Sequence, residues 1–213
     1  MIGNTPRVAP HRGTDARLST NPICIALPAA EAGRPMILDL ATSKVALGKI
    51  RVALNEGHPV APGLIMDSEG RPTTDPQAMF DAPAGALLPL AEHKGYALAL
   101  ACELLAGAIA GSGAFKQANQ NQRTVTNGML AFIFDPQRLT DQEWLKSEIE
   151  EITAYVTASP ARDPNEPVLI PGDPERQARQ IRMAEGIPID AVTLGQLMGC
   201  ATGLGLNADI LEA

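Results

Sequence analysis

Ala91–Gly113, AEHKGYALALACELLAGAIAGSG, is the stretch on which the fold has to be read. It opens with charged residues and a glycine at Glu92-His93-Lys94-Gly95. It then runs through fifteen nearly unbroken apolar positions from Tyr96 to Ala110 and stops in Gly111-Ser112-Gly113. Alanine and leucine are strong helix formers and glycine ends helices, so the segment predicts a helix packed on all sides, with a polar mouth. At about 1.5 Å per residue the apolar run spans roughly 23 Å, short of the roughly 30 Å of hydrocarbon in a bilayer. Glu103 also sits in its middle, so a core helix is the expectation. The N–H groups that open the helix, with Lys94 beside them, can hold an anion.

On either side, short strands and helix starts alternate. Ile23–Leu27 and Met36–Leu40 read as two strands joined by a Pro/Gly turn, a hairpin. Asp39-Leu40-Ala41-Thr42-Ser43 closes the second strand and begins a helix carrying Val45, Ala46, Ile50 and Ala53, with Thr42 or Ser43 as its N-cap. Further on, Met129–Phe134 has the unbroken apolar character of a buried strand. Thr140 and Glu143 form a capping box ahead of a helix with Leu145, Ile149, Ile152 and Val156 on one face. Val168–Ile170 reads as a strand, and Pro171–Glu175 turns it into a charged helix ending at Gly186. Thr193–Leu204 has the small-residue character of a closely packed terminal helix. Residues 6–22, rich in Pro, Gly, Asn and Asp, read as a solvated loop. Its Arg7, Arg12 and Arg17 each offer a planar fork for a carboxylate or phosphate.

Composition excludes several functions. With 213 residues and 45% apolar content the chain can bury a core. A net charge of −7 and a pI near 5.0 do not suit a nucleic-acid partner, because phosphate neutralisation needs a basic surface. No segment suits a membrane span. Cys24, Cys102 and Cys200 stand far apart and match no zinc or disulfide pattern, and the expected setting is the cytoplasm. The start, Met1–Pro6, lacks the basic and apolar parts of an export signal and reads as a chain beginning inside a fold. No G-x-G-x-x-G follows a strand, no Gly-Lys-Ser/Thr loop is present and no histidine pair has metal spacing. Of the histidines, His11 and His58 lie in loops, while His93 stands at the mouth of the apolar helix beside Lys94.

Six ordered motifs carry a resemblance: Thr20-Asn21-Pro22, Leu38–Ser43, Gly48-Lys49, Gly70–Pro76, Glu92–Tyr96 and Leu169–Glu175. Together they resemble the malate/L-lactate dehydrogenase family, NAD(P)-dependent 2-hydroxyacid oxidoreductases distinct from the Rossmann-type lactate dehydrogenases. The resemblance implies an α/β fold that is non-Rossmann, a largely antiparallel sheet flanked by helices. Residues 1–213 would be a single NAD(P)-binding region of a larger fold with a further N-terminal helical segment, usually dimeric. It implies NAD or NADP as cofactor and a small 2-hydroxy or 2-oxo acid as substrate.

Position by position, the family's cofactor contacts fall on Asp39, Leu40, Ala41, Thr42 and Ser43, on Lys94 and Gly95, on Asn127, and on Gly172, Asp173, Pro174 and Glu175. The family's proton-transferring histidine lies upstream of the position matched by Met1, so no catalytic residue is assigned within this chain. Two readings follow. The chain is most of a dehydrogenase, or it is a catalytically incomplete fragment acting as a dinucleotide-binding module.

Overall fold

Short antiparallel ladders and longer helices follow one another along the chain. The computed structural model describes residues 1–3, 5–28, 34–116 and 127–206. The strands are β1 (Ile2–Gly3), β2 (Ile23–Leu27), β3 (Met36–Leu40), β4 (Ile65–Met66), β5 (Pro72–Thr73), β6 (Ala86–Leu87) and β7 (Asn127–Gly128). The helices are α1 (Leu47–Asn55), α2 (His93–Cys102), α3 (Gln142–Thr157), α4 (Asp173–Glu185) and α5 (Ala191–Gly203), with α2 continuing as a π-helix over Glu103–Ile109. β1 pairs with β7, β2 with β3 in register Ile23 to Leu40, and β4 lies between β5 and β6, all antiparallel. Among the described residues the strands thus form three small sheets, where one larger sheet was expected.

The core gathers on the first half of the chain. Val8, Leu18, Ile50, Ile65, Met79, Leu87 and Ala99 form one buried cluster. The 6–22 segment is therefore no solvated loop. Val8 and Leu18 bridge to each other and Ala9 N–H donates to Leu87 C=O at 3.0 Å, which carries Val8, Ala9 and Leu18 inward.

The apolar helix is not buried all round. Gly95, Ala99, Cys102, Glu103, Ala106 and Gly107 face inward, while Leu98, Leu100, Leu104, Leu105 and Ile109 are exposed. Size decides the face. The neighbouring chain comes so close that a Cβ on Gly107 would stand 2.8 Å from the Ala114 Cα, so apart from Glu103 small residues take the inner side, and leucines the outer.

Several local expectations shift. Thr42 and Ser43 do not cap α1, whose N-cap is Ala46. The Thr42 hydroxyl donates to the Thr20 carbonyl at 2.8 Å and the Ser43 hydroxyl to the Val45 carbonyl at 2.8 Å, so both are engaged elsewhere. α3 is capped by Asp141, which accepts from Trp144 N–H at 2.8 Å, and not by Thr140. Met129–Phe134 lies outside any strand and is exposed, Ile133 at 93%. Val168–Ile170 forms no strand either; in place of a ladder, a backbone hydrogen bond from Ile37 N–H to Pro171 C=O at 3.2 Å meets the hairpin just after it.

Residues 115–126, whose crowded Gln, Asn and Arg side chains read in the sequence as a surface loop, lie mostly outside the described residues. α3, α4 and α5 bury no residue completely, so α5 is not the closely packed helix expected. A cleft of about 710 Å³ separates α3 from the hairpin, between Leu27 and Met36 on one side and Ile149 and Ile152 on the other. The chain exposes 14770 Å² for its 22.4 kDa, against roughly 9,400 Å² for a compact monomer of that mass. No helix among the described residues is long and apolar enough to cross a membrane.

Candidate functional site

Successive parts of one run, residues 37–47 from β3 into the start of α1, line two cavities. The first, of about 300 Å³, lies where β3 meets the start of α4, lined by Ile37, Leu38 and Asp39 on one side and by Leu169–Gly172, Pro174 and Glu175 on the other. Asp39 directs an exposed carboxylate there, because alternation along β3 leaves that position on the open face of the hairpin. Gly172, at φ 99°, makes the left-handed turn into α4 that a side chain would resist.

Asp173 does different work. Its carboxylate accepts from Arg176 at 2.6 Å and from Arg34 at 3.3 Å, while Arg176 also donates to the Pro35 carbonyl at 3.0 Å. The Arg176 hydrogen bond holds the Asp173 carboxyl below the usual range, with Ile170 N–H and Arg34 adding to the effect against a smaller opposing cost of burial. Asp173 is thus occupied in tying α4 to the hairpin, which leaves Pro174 and Glu175 to line the cavity.

The second cavity, of about 370 Å³, is lined by Ala41, Ala46 and Leu47 from the same run and by Gly3, Thr5, Arg7, Ser19, Thr20 and Asn127. Its polar groups are hydroxyls, an amide and one guanidinium. Among the described residues lining it there is no His, Lys, Asp or Glu. Asn127 reaches it because β7 pairs with β1, and Arg7 and Thr20 because the 6–22 segment folds back on itself. No pattern of spacing marks Thr5, Ser19 or Thr20 as wall residues. Arg7 was visible only as one of three loop arginines, of which Arg17 pairs with Asp15 at 2.6 Å on the surface.

Thr42 joins these walls to the mouth of α2. It is fully buried, and its N–H donates to Thr20 C=O at 2.9 Å while its C=O accepts from Leu90 N–H at 2.8 Å. Gly95 N–H in turn donates to Leu90 C=O at 2.7 Å. The turn between them holds Ala91 at φ 43° and Glu92 at φ 56°, a left-handed pair that only a well-fixed surrounding sustains. A Cβ on Gly95 would stand 2.2 Å from Leu90 O and 2.8 Å from Thr42 O, so glycine is what allows α2 to start against this segment. Lys94, next to it, is exposed and lines neither cavity. The His93 ring meets His11 edge-on, centroids 6.0 Å apart.

Of the twelve cofactor positions, then, the structure brings Asp39, Gly172, Pro174 and Glu175 to one cavity and Ala41 and Asn127 to the other. Leu40, Thr42, Ser43 and Gly95 form the backbone between, and Asp173 and Lys94 stand outside both linings. No group of three or more His, Cys, Asp or Glu able to hold a metal ion occurs among the described residues.

The family model for malate/L-lactate dehydrogenases matches residues 1–198. The chain belongs to the malate/L-lactate dehydrogenase family. It is 39% identical over 210 residues to hydroxycarboxylate dehydrogenase B of Escherichia coli K12, a match that covers 98% of this chain and 57% of that protein. To the L-lactate dehydrogenase of Cupriavidus necator it is 38% identical over 179 residues, 84% of this chain and 51% of the relative. A solved sulfolactate dehydrogenase from Methanocaldococcus jannaschii has the same fold over 98% of this chain and 59% of its own, with a TM-score of 0.71 at 32% identity. The chain thus spans little more than half the length of these relatives. The small antiparallel ladders and helices of this chain are compatible with an α/β fold.

Proposed function

We propose that this chain is the nucleotide-holding part of an NAD(P)-dependent oxidoreductase that interconverts 2-hydroxy and 2-oxo acids, in a non-Rossmann fold. The observation that carries the proposal is the pair of cavities lined by successive parts of one run, Ile37–Asp39 for the first and Ala41, Ala46 and Leu47 for the second. A dinucleotide has two nucleoside ends joined by a pyrophosphate, and two small cavities along a single stretch of backbone suit it.

In the first cavity the Asp39 carboxylate can accept hydrogen bonds from ribose hydroxyls, and Glu175 offers its backbone N–H in the opening turn of α4, where Asp173 and Arg176 already donate theirs to Ile170 and Gly172. In the second, the Thr5, Ser19 and Thr20 hydroxyls and the Asn127 amide can pair with a carboxamide, and the Arg7 guanidinium can fork onto a carboxylate. Gly95 permits backbone to lie close behind this wall, and Lys94 adds positive charge at the helix mouth. Bound there, the nicotinamide would supply or accept the hydride. What the chain's own residues do is orient the two partners and neutralise the acid's negative charge.

The second cavity also favours the narrower reading. Interconverting an alcohol and a ketone requires a group that gives and takes a proton within hydrogen-bond reach, and this lining holds none that titrates near neutrality. The chain is accordingly a dinucleotide-binding module whose acid/base comes from polypeptide outside it. We place the complete protein in the cytoplasm as a homodimer.

Titration of the chain with NADH and with NADPH, read by nucleotide fluorescence, tests the proposal, with reduction of pyruvate, oxaloacetate and phenylpyruvate assayed alongside. Binding weakened about tenfold by Asp39→Ala or Arg7→Ala is the expected outcome. If neither nucleotide binds, the proposal fails. Turnover by the chain alone would overturn the module reading in favour of a self-sufficient dehydrogenase.

A further inference from the structure

Glu103 stands in the middle of an apolar helix, 3% exposed, with no cationic partner among the described residues. A buried carboxylate is costly unless its oxygens are satisfied, and here both are. One accepts from Asn21 Nδ2 at 2.8 Å and the other from the Phe115 backbone N–H. Glu103 falls on the inner face one α-helical turn after Ala99, and the change from α- to π-helix begins at Glu103 itself. Short π segments inside helices are rare and concentrate at functional sites.

Asn21 is equally specific. It is fully buried, its φ of 35° is left-handed, and its amide also donates to the Ala99 carbonyl at 3.0 Å. Its Oδ1 is buried without a hydrogen-bond partner among the described residues. The amide orientation is therefore set from one end alone. Ala99 O and Glu103 Oε2 are both acceptors, and a flipped Asn21 would turn its oxygen onto the two of them. An arrangement that buries a carboxylate, holds asparagine in a left-handed turn and leaves one acceptor unmatched is a poor way to stabilise a core. Apolar side chains of similar size would serve stability as well or better.

We propose that Asn21 and Glu103 are positioning residues for the nucleotide site: they fix the peptide that follows Thr20 and thereby set the wall of the larger cavity. The geometry gives the route. Thr20 lines that cavity and, through its carbonyl, holds both the N–H and the hydroxyl of Thr42. Asn21, the next residue, anchors this strand entry to two turns of the apolar helix at once. That helix carries Gly95 and Lys94 at its other end. One buried pair therefore sets the spacing between the Thr20 wall and the helix mouth. Phe115 ties the exit of the helix to the same carboxylate. The proposal rests on the nucleotide reading above for its ligand, but the pair itself can be tested without one.

The experiment compares the chain with Asn21→Ala, Glu103→Gln and the apolar double variant Asn21→Leu/Glu103→Met. Three readouts are taken: thermal melting, amide hydrogen exchange at Thr42 and Phe115 without nucleotide, and the Kd for NADH and NADPH. In the single variants, exchange at Thr42 should rise about tenfold or more, the loss of a charge-assisted hydrogen bond. In the double variant melting should return to the level of the parent or above, while nucleotide Kd stays weaker by about tenfold. A purely structural pair would show the opposite split, with Kd recovering as melting recovers. That result, or unchanged Thr42 exchange in both single variants, overturns the proposal. If the parent chain binds neither nucleotide, the functional reading fails, and the exchange at Thr42 still decides whether the pair positions the wall. Should the single variants not fold, the double variant alone carries the test through its melting and exchange.

Discussion

Gly95→Ala is the substitution for which helix propensity and packing predict opposite signs. Gly95 is the third residue of α2, and within a helix alanine is favoured over glycine by about 1 kcal/mol. On propensity alone the change stabilises. The structure reverses this. The added Cβ would stand 2.2 Å from Leu90 O, 2.6 Å from Leu90 N and 2.8 Å from Thr42 O, all backbone atoms that cannot swing aside.

Relief requires the helix start to move off the Thr42–Leu90 segment by about an ångström, and overpacking of this kind costs roughly 1–3 kcal/mol, occasionally more. The same displacement breaks the 2.7 Å bond from Gly95 N–H to Leu90 C=O, about 1 kcal/mol further. Set against the propensity gain, the net expectation is a loss of roughly 1–3 kcal/mol, or about 2–12 °C in melting temperature for a chain of this size. Gly48→Ala in α1 is the matched control, since nothing lies within 4 Å of its added Cβ. There propensity acts alone, and stability should rise by up to about 1 kcal/mol. Urea unfolding of both variants, followed by circular dichroism, measures the pair. Equal stabilisation by the two alanines would refute the close approach of α2 to Thr42.

Four further outcomes follow from the same structure. Ile50→Ala empties a site wholly enclosed by Val8, Leu18, Ile65, Met79 and Leu87; chemical denaturation should register a loss of about 2–5 kcal/mol. Asp141→Ala should cost about 1 kcal/mol and fray the first turn of α3, whereas Thr140→Ala should change almost nothing, a contrast visible in amide exchange of Trp144. Asp173→Ala removes the ion pair from α4 to Arg34 and the Asp173–Arg176 pair that steadies Arg176 on the Pro35 carbonyl; α4 amides should lose protection by about 1–2 kcal/mol while the Ile50 core stays unchanged. The same link sets an acid limit. Because the folded Asp173 carboxyl lies below its unfolded value, its stabilisation is complete above the ordinary carboxylate range of about 4 and is lost as pH falls through the lower folded value. α4 protection should therefore decline in that acid window and be flat from there to neutrality.

Legibility in the sequence followed where local chemistry suffices. The hairpin β2–β3 emerged with its ends in place because alternation, Pro28 and the turn residues act within a few positions. α1, α3 and α4 were legible from period and punctuation to within a few residues. The errors share another cause. Thr42 and Ser43 look like caps, but a hydroxyl goes to whichever acceptor the tertiary fold offers, here Thr20 and Val45 carbonyls. The apolar circumference of Tyr96–Ala110 could not say which face turns inward, since that depends on how closely Ala114 and Leu90 approach. Nor does any pattern announce the π turn at Glu103. As to the candidate site, Asp39 and the Gly172–Glu175 turn could be placed at strand-to-helix junctions on physical grounds, whereas Asn127 rested on resemblance alone. Thr5, Ser19 and Thr20 enter the wall only because β1–β7 pairing and the folding back of residues 6–22 bring distant segments together.

Met129–Phe134 has a practical consequence. The six apolar residues, without a charge or a proline, stand free of any ladder; only Leu130 is half-buried, and Phe132, Ile133 and Phe134, residues of high β-propensity, are turned to water. Such a segment is a template for intermolecular pairing. Concentrating this chain should drive it toward self-association through that segment, and its handling in solution will be governed less by its net charge of −7 than by whatever shields those exposed side chains.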